Sequence, residues 1–328
     1  MNKAGQRVYA PPTSAPPVYT GQDPSRFNKT ASLIELCKQQ GISPFFASQL
    51  HVLQEYSSIR IIIDDSGSMR TSETDHYGRR KGTRWDELML TLRSVFDIAC
   101  AAANTTAPEA ATASVDMAAA QGPTSLARQY GGLVDVYLLN GHPDGRKEFV
   151  GLRSFNELEQ QLVGLPIRGR TPTLQVLEYL FHYERMEGEL PVLTLLFTDG
   201  QPDCGLPVMA SYLRDVQTKF TNSFMTISLC TSDDSVVNVY NQLDASIPRL
   251  DVMDDYHSEK MEVYQCQGSR FPFSKGDYLV KTLIGPRVAL WDSLDERRLT
   301  KDQRRMFEEY ATSAFGVSKK QKKDCIIQ

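Results

Sequence analysis

Two apolar runs, each stopped by an aspartate, restrict the fold of this chain more than any other feature. The first places Ile59, Ile61, Ile62 and Ile63 almost side by side and ends in Asp64-Asp65-Ser66-Gly67-Ser68-Met69. The second, Val192-Leu193-Thr194-Leu195-Leu196-Phe197-Thr198, ends in Asp199-Gly200. Such runs suit strands buried on both faces of a parallel sheet. In open sheets of that kind ligands bind outside the carboxyl ends of the strands. Each run therefore delivers a carboxylate to that edge, and the first adds two hydroxyls.

Asp64, Ser66 and Ser68 offer only oxygen, and no His or Cys lies within seven residues of them. Oxygen donors favour a hard cation of the Mg2+ type over Zn2+. A third loop, Gly169-Arg170-Thr171-Pro172-Thr173, precedes Leu174, Leu177, Leu180 and Phe181 at helical spacing. Pro172 suits the first helical position, which leaves the Thr171 hydroxyl at the helix entrance.

Together these residues resemble the von Willebrand factor type A domain with its metal-ion-dependent adhesion site. That family has Asp-x-Ser-x-Ser after the first strand, a Thr on a middle loop and an Asp after the fourth strand. Asp64, Ser66, Ser68, Thr171 and Asp199 match it in order, and the resemblance covers residues 58–285. It implies a doubly wound, mostly parallel α/β sheet of Rossmann-like form with helices on both faces. It further implies that Ser66, Ser68 and Thr171 offer hydroxyls to Mg2+, or alternatively Mn2+, directly or through water. Asp64 and Asp199 would supply charge, often from behind the hydroxyls. Asp65 fills the variable position and receives no ligand role.

The remaining chain divides around that domain. Residues 1–27 hold five prolines and few aliphatics, a composition that cannot bury a core and predicts a disordered tail. Within it Pro16, Pro17 and Tyr19 form a Pro-Pro-x-Tyr pattern of the kind WW domains bind, although a plain proline-rich tail is the simpler account. Residues 28–57 predict a helical extension of two short helices broken at Gly41-Ile42-Ser43-Pro44, with His51 as a structural histidine. After the first motif, Arg79-Arg80-Lys81 sits in a polar loop. Thr83 caps the next helix with Asp86 three residues on, and Trp85, Leu88, Leu92, Val95, Phe96 and Ala99 share one face of that helix.

Residues 104–132, rich in Ala and Thr, read as an insertion. Val134–Leu139 is a strand, and Gly141-His142-Pro143-Asp144-Gly145 a turn with a solvated histidine, leading to a return strand at Phe149-Val150. Helices at 154–162, 209–220, 236–243 and 274–284 alternate with strands at 225–230 and 250–253, as a sheet wrapped on both faces requires. Asp203, Asp233, Asp234, Asp254 and Asp255 are assigned to solvated acidic loops.

Residues 286–315 form a C-terminal helical extension, with a charged helix capped at Thr300. Residues 316–328 are a basic tail closing in Cys325-Ile326-Ile327-Gln328, which resembles a prenylation box. Lys319, Lys320, Lys322 and Lys323 stand directly upstream, and a lipid chain plus a basic patch holds a protein on an anionic leaflet better than either alone.

A net charge of -4 gives no reason to expect a nucleic-acid partner. No run spans a bilayer and no signal-peptide core opens the chain, so the expected location is cytoplasmic, on the cytoplasmic face of a membrane. The expected function is non-enzymatic: capture of an Asp or Glu carboxylate on a partner protein. The alternatives are a Mg2+-dependent hydrolase and an adaptor subunit of a partner ATPase. None of the five histidines falls in the motif loops to serve as a base, and no Walker-type loop would bind ATP.

Overall fold

The first isoleucine run forms β1 (Ser58–Ile63), which lies inside a six-stranded sheet. The structure, a computed structural model, describes residues 31–74, 80–104, 134–182, 191–231, 233–244 and 246–305. A separate antiparallel hairpin pairs β2 (Ser72–Thr74) with β3 (Arg80–Thr83). The other strands of the main sheet are β4 (Val134–Leu138), β5 (Glu148–Leu152), β6 (Val192–Thr198), β7 (Ser223–Leu229) and β8 (Leu250–Met253), in the order β5-β4-β1-β6-β7-β8. All pairings are parallel except that of β5, which runs antiparallel to β4 at one edge. Strand order reverses on either side of β1, and at that switch point the loops after neighbouring strands diverge to leave a crevice.

The helices are α1 (Ala31–Gln39), α2 (Pro44–Ala47), α3 (Arg84–Asn104), α4 (Phe155–Gln161), α5 (Thr173–His182), α6 (Leu206–Lys219), α7 (Asp234–Asp244), α8 (Tyr256–Gln267), α9 (Lys275–Ile284) and α10 (Ala289–Asp292). Side chains alternate across β1, so Ile59, Ile61 and Ile63 enter one core and Ile62 the other. The first core is closed by residues of α1 to α4 and α8 to α10, the second by residues of α5 to α7. The fold is thus an α/β doubly wound, mostly parallel sheet covered on both faces.

Local signals account for several boundaries. The N–H of Asp86 donates to Thr83 Oγ1 at 3.2 Å and the N–H of Thr83 to Asp86 Oδ2 at 2.8 Å, which starts α3 as the sequence predicts. Leu88, Leu92, Val95, Phe96 and Ala99 then line its buried face. At α9, Ser274 and Asp277 form a capping box, and the other Asp277 oxygen accepts the N–H of Ser43 at 2.8 Å in front of α2. Gly276 lies against the backbone of Gln40 and Ile42, where a methyl group would collide. One carboxylate therefore ties the first helices to the last core helix.

Every residue of α9 from Gly276 to Ile284 is buried, including Lys281. Its ammonium group stands 2.8 Å from Glu259, 3.4 Å from Asp295 and 3.8 Å from Asp251. Burial opposes its charge, but Asp251, Asp295 and Glu259 outweigh that effect and hold it protonated.

Some expectations differ from the structure. Helix α8 has no counterpart among them, and α6 begins a turn earlier, at Leu206. His142 is buried rather than solvated, with Nε2 2.8 Å from the carbonyl of Gln161. Asp254 is buried as well, whereas Asp255 caps α8. The proline-rich tail, most of the Ala/Thr-rich insertion, the later part of the charged helix and the basic tail lie outside the described residues.

The buried carboxyls set the pH dependence of stability. Burial, with Glu262 adding to it, pushes Asp254 up to about 7, and burial pushes Asp277 up to about 6 against the hydrogen bonds it receives. Both exceed the ordinary value near 3.8 that each would have in the unfolded chain. Between those limits the native state holds more protons than the unfolded state, so stability falls as pH rises. Urea midpoints should fall from pH 4 to pH 7 and level off above that, and Asp254→Asn should flatten the decline.

Candidate functional site

Asp64 follows the last residue of β1, and its carboxylate is spent on shaping the loop. Oδ1 accepts the N–H of Ser66 at 2.9 Å and Oδ2 accepts the hydroxyl of Thr198, the last residue of β6, at 2.6 Å. The group is fully buried, and burial pushes it up to about 6, with Asp199 adding to the rise and the donors from Ser66 and Thr198 limiting it. Ser66 then ends the extended backbone, and Gly67–Arg70 makes a 3-10 turn anchored by the fully buried Met69. Gly67 and Ser68 face solvent on that turn.

The hydroxyls lead from this turn to the second acidic loop. Ser66 Oγ lies 3.0 Å from Ser68 Oγ, and Ser68 Oγ donates to Asp199 Oδ1 at 2.7 Å. The other oxygen, Asp199 Oδ2, accepts from Arg84 Nη1 at 2.8 Å. Ser66, Ser68 and Asp199 thus meet at the carboxyl edge of β1 and β6, with Asp64 directly behind.

Thr171 comes from the third loop, just before α5. Its N–H donates to Asp203 Oδ1 at 3.1 Å and its carbonyl accepts the N–H of Asp203 at 2.9 Å, which fastens this loop to the one after Asp199. Thr171 Oγ1 stands 3.9 Å from the point a β-carbon on Gly200 would occupy. Gly169 accepts the N–H of Gly67 at 3.2 Å. Its φ of +104° and its contact with the Asn140 side chain leave no room for a larger residue. All five residues singled out in the sequence therefore belong to three interlocked loops. Pro16, Pro17, Tyr19, Lys319–Lys323 and Cys325 lie outside the described residues.

Several participants escape the motif. Asp65 is fully buried and accepts the N–H groups of Asn140 at 2.8 Å and Gly141 at 2.7 Å, which joins the loop after β1 to the loop after β4. Asn140 in turn donates from Nδ2 to the carbonyl of Arg170 at 2.9 Å. Arg84 has one sequence signal: it is the first residue of α3, where the positive end of the helix dipole disfavours a cation.

The donor set fits a hard divalent cation. It consists of oxygen alone, the two serine hydroxyls lie within hydrogen-bond distance of each other, and a buried carboxylate accepts a hydrogen bond from Ser68. A hydroxyl that donates its proton to a carboxylate keeps lone pairs for a further ligand.

No protein-family model matches the chain, and no curated protein matches it either. Among solved structures it is similar to the crystal structure of the SpRpn10 VWA domain, at 13% identity and a TM-score of 0.38, over 60% of this chain and 86% of that one. The sheet order and register, rather than that likeness, define the class as doubly wound α/β.

Replacing Asp65 by Ala should destabilise the fold by about 1–3 kcal/mol for each backbone donor left without an acceptor. Chemical denaturation measures this, and a loss below about 0.5 kcal/mol would mean that the two loops hold together without it.

Proposed function

We propose that this chain is a protein-binding module of the von Willebrand factor A type, which takes an Asp or Glu carboxylate of a partner protein at a bound Mg2+ or Mn2+. The observation that supports this best is the line of oxygens from Ser66 through Ser68 to Asp199 at the switch point of the sheet. In this assignment Ser66, Ser68 and Thr171 hold the cation, and Asp64 and Asp199 stand behind them. A cation with mostly neutral ligands keeps much of its charge for an incoming carboxylate. The protein's own part is to hold the ligands still: Asp64 fixes the turn at Ser66, and Asp199 orients the Ser68 hydroxyl.

A Mg2+-dependent hydrolase would need a base free to take a proton. Asp64 has the raised proton affinity of such a base, but it is fully buried, with its oxygens turned to Ser66 and Thr198 rather than to solvent. Binding therefore fits the site better than turnover.

Affinity capture with the full chain tests the proposal. Partners held in Mg2+ should be lost in chelator and lost again with Ser66→Ala, whose circular dichroism should match wild type. Free glutamate should compete for them. Equal capture under all conditions would refute cation-dependent binding.

The second part of the proposal is a tether. Cys325 would carry a prenyl chain, and Lys319, Lys320, Lys322 and Lys323 would meet an anionic leaflet. The Pro16-Pro17-Val18-Tyr19 segment would offer a separate site for a WW-domain protein. In cells, Cys325→Ser should shift the protein from the membrane fraction to the cytosol; an unchanged distribution would remove the lipid from the account. Among the described residues no helix is long and apolar enough to cross a membrane.

A further inference from the structure

We infer that Arg84 is a built-in counterion for the proposed cation site, one that must give way before a divalent cation is taken up. The inference rests on that site being a cation site, and it concerns how the site is regulated.

Asp199 is the point of competition. Its side chain is fully buried, and its two oxygens are divided between Ser68, at 2.7 Å, and the Arg84 guanidinium, at 2.8 Å. A carboxylate buried without a positive partner is costly, and in this structure Arg84 is that partner. The guanidinium cannot be neutralised by losing its proton, because arginine stays charged at every pH a folded protein meets. A divalent ion beside Ser66 and Ser68 would therefore sit close to a fixed like charge. Either the ion binds weakly or the guanidinium leaves.

The backbone shows how leaving is linked to the ligand loop. The N–H of Arg84 donates to the carbonyl of Thr71 at 3.0 Å, and Thr71 immediately follows the turn that carries Ser68. Thr83, the preceding residue, pairs with Ser72 in the β2–β3 hairpin. The two hydroxyls and the competing charge thus belong to one short segment, residues 66–84. The Arg84 side chain is 17% exposed, so water borders it on the route outward. Its place at the start of α3 adds to the pressure, because the positive end of the helix dipole disfavours a cation there.

Two properties follow. The buried Asp199 carboxylate already has a positive partner within the chain itself. Cation affinity is lower than the same oxygens would give without the arginine.

The experiment compares wild type with Arg84→Gln, which keeps hydrogen-bonding capacity and removes the charge. Mn2+ binding is read by calorimetry and by the electron paramagnetic resonance of free Mn2+, and melting temperatures are taken in chelator and in Mn2+. Arg84→Gln should bind Mn2+ at least tenfold more tightly, melt lower than wild type in chelator and recover in Mn2+. A variant that folds only with Mn2+ present supports the inference equally, because the ion then replaces the guanidinium. Arg84→Met carries the same expectation and decides the matter if the glutamine variant fails to fold in both conditions. Equal Mn2+ affinity in wild type and variant overturns the role of Arg84 and leaves the cation site standing. Absence of Mn2+ binding in both removes the site itself, and the inference with it.

Discussion

Asp64 and Asp65 turn to opposite sides at the end of the central strand, and through them the sheet is closed at its functional edge. Asp64 reaches towards β6 and takes the hydroxyl of Thr198, while Asp65 reaches towards β4 and takes the N–H groups of Asn140 and Gly141. Adjacent residues of an extended chain point opposite ways, so a pair of carboxylates can serve two neighbours at once. Parallel strands give their ends no hairpin to hold them in place, and the loops at a switch point diverge. The two aspartates supply the missing connection. The hydroxyls of Ser66 and Ser68 held on that frame lie within hydrogen-bond distance of each other, and that of Ser68 also reaches Asp199.

Away from that edge the molecule buries more charge than its apolar cores require. Lys281 lies among Glu259, Asp251 and Asp295, and Asp244 and Asp292 stand close by around the edge strand β8. Burial raises the proton affinity of Asp244, Asp251, Asp292 and Glu259 together. Lys281 favours their charged forms, and burial opposes it. Such networks add little net stability over an apolar core, but they penalise any packing in which a partner is lost.

How much of this was legible in the sequence depends on where the polar groups went. β1 and β6 were plain, because runs dominated by isoleucine and leucine, broken only by Arg60 and Thr194, have few other uses. Thr83 with Asp86 announced a helix start through side chains that satisfy local backbone groups. Helix α8 was hidden for the opposite reason: its buried stripe is Glu259, Val263 and Gln267, two of them polar. Glu259 meets Lys281, while the Gln267 amide donates to the carbonyls of Leu294 and Arg297, so partners far along the chain make that stripe an interior one. Asp65 and Arg84 were missed similarly. The residues they meet lie 75 and 115 positions away, and no local pattern records such meetings.

The capping aspartate of α9 has a kinetic side. Asp277 answers the N–H groups of Ser43 and Ser274 simultaneously, and Ser43 is 234 residues distant. Closing so long a loop costs entropy before any contact repays it. The clasp between Ser43 and Asp277 therefore forms only when the two ends of the domain have come together, whereas the packing of α1 on α3 spans a much shorter loop.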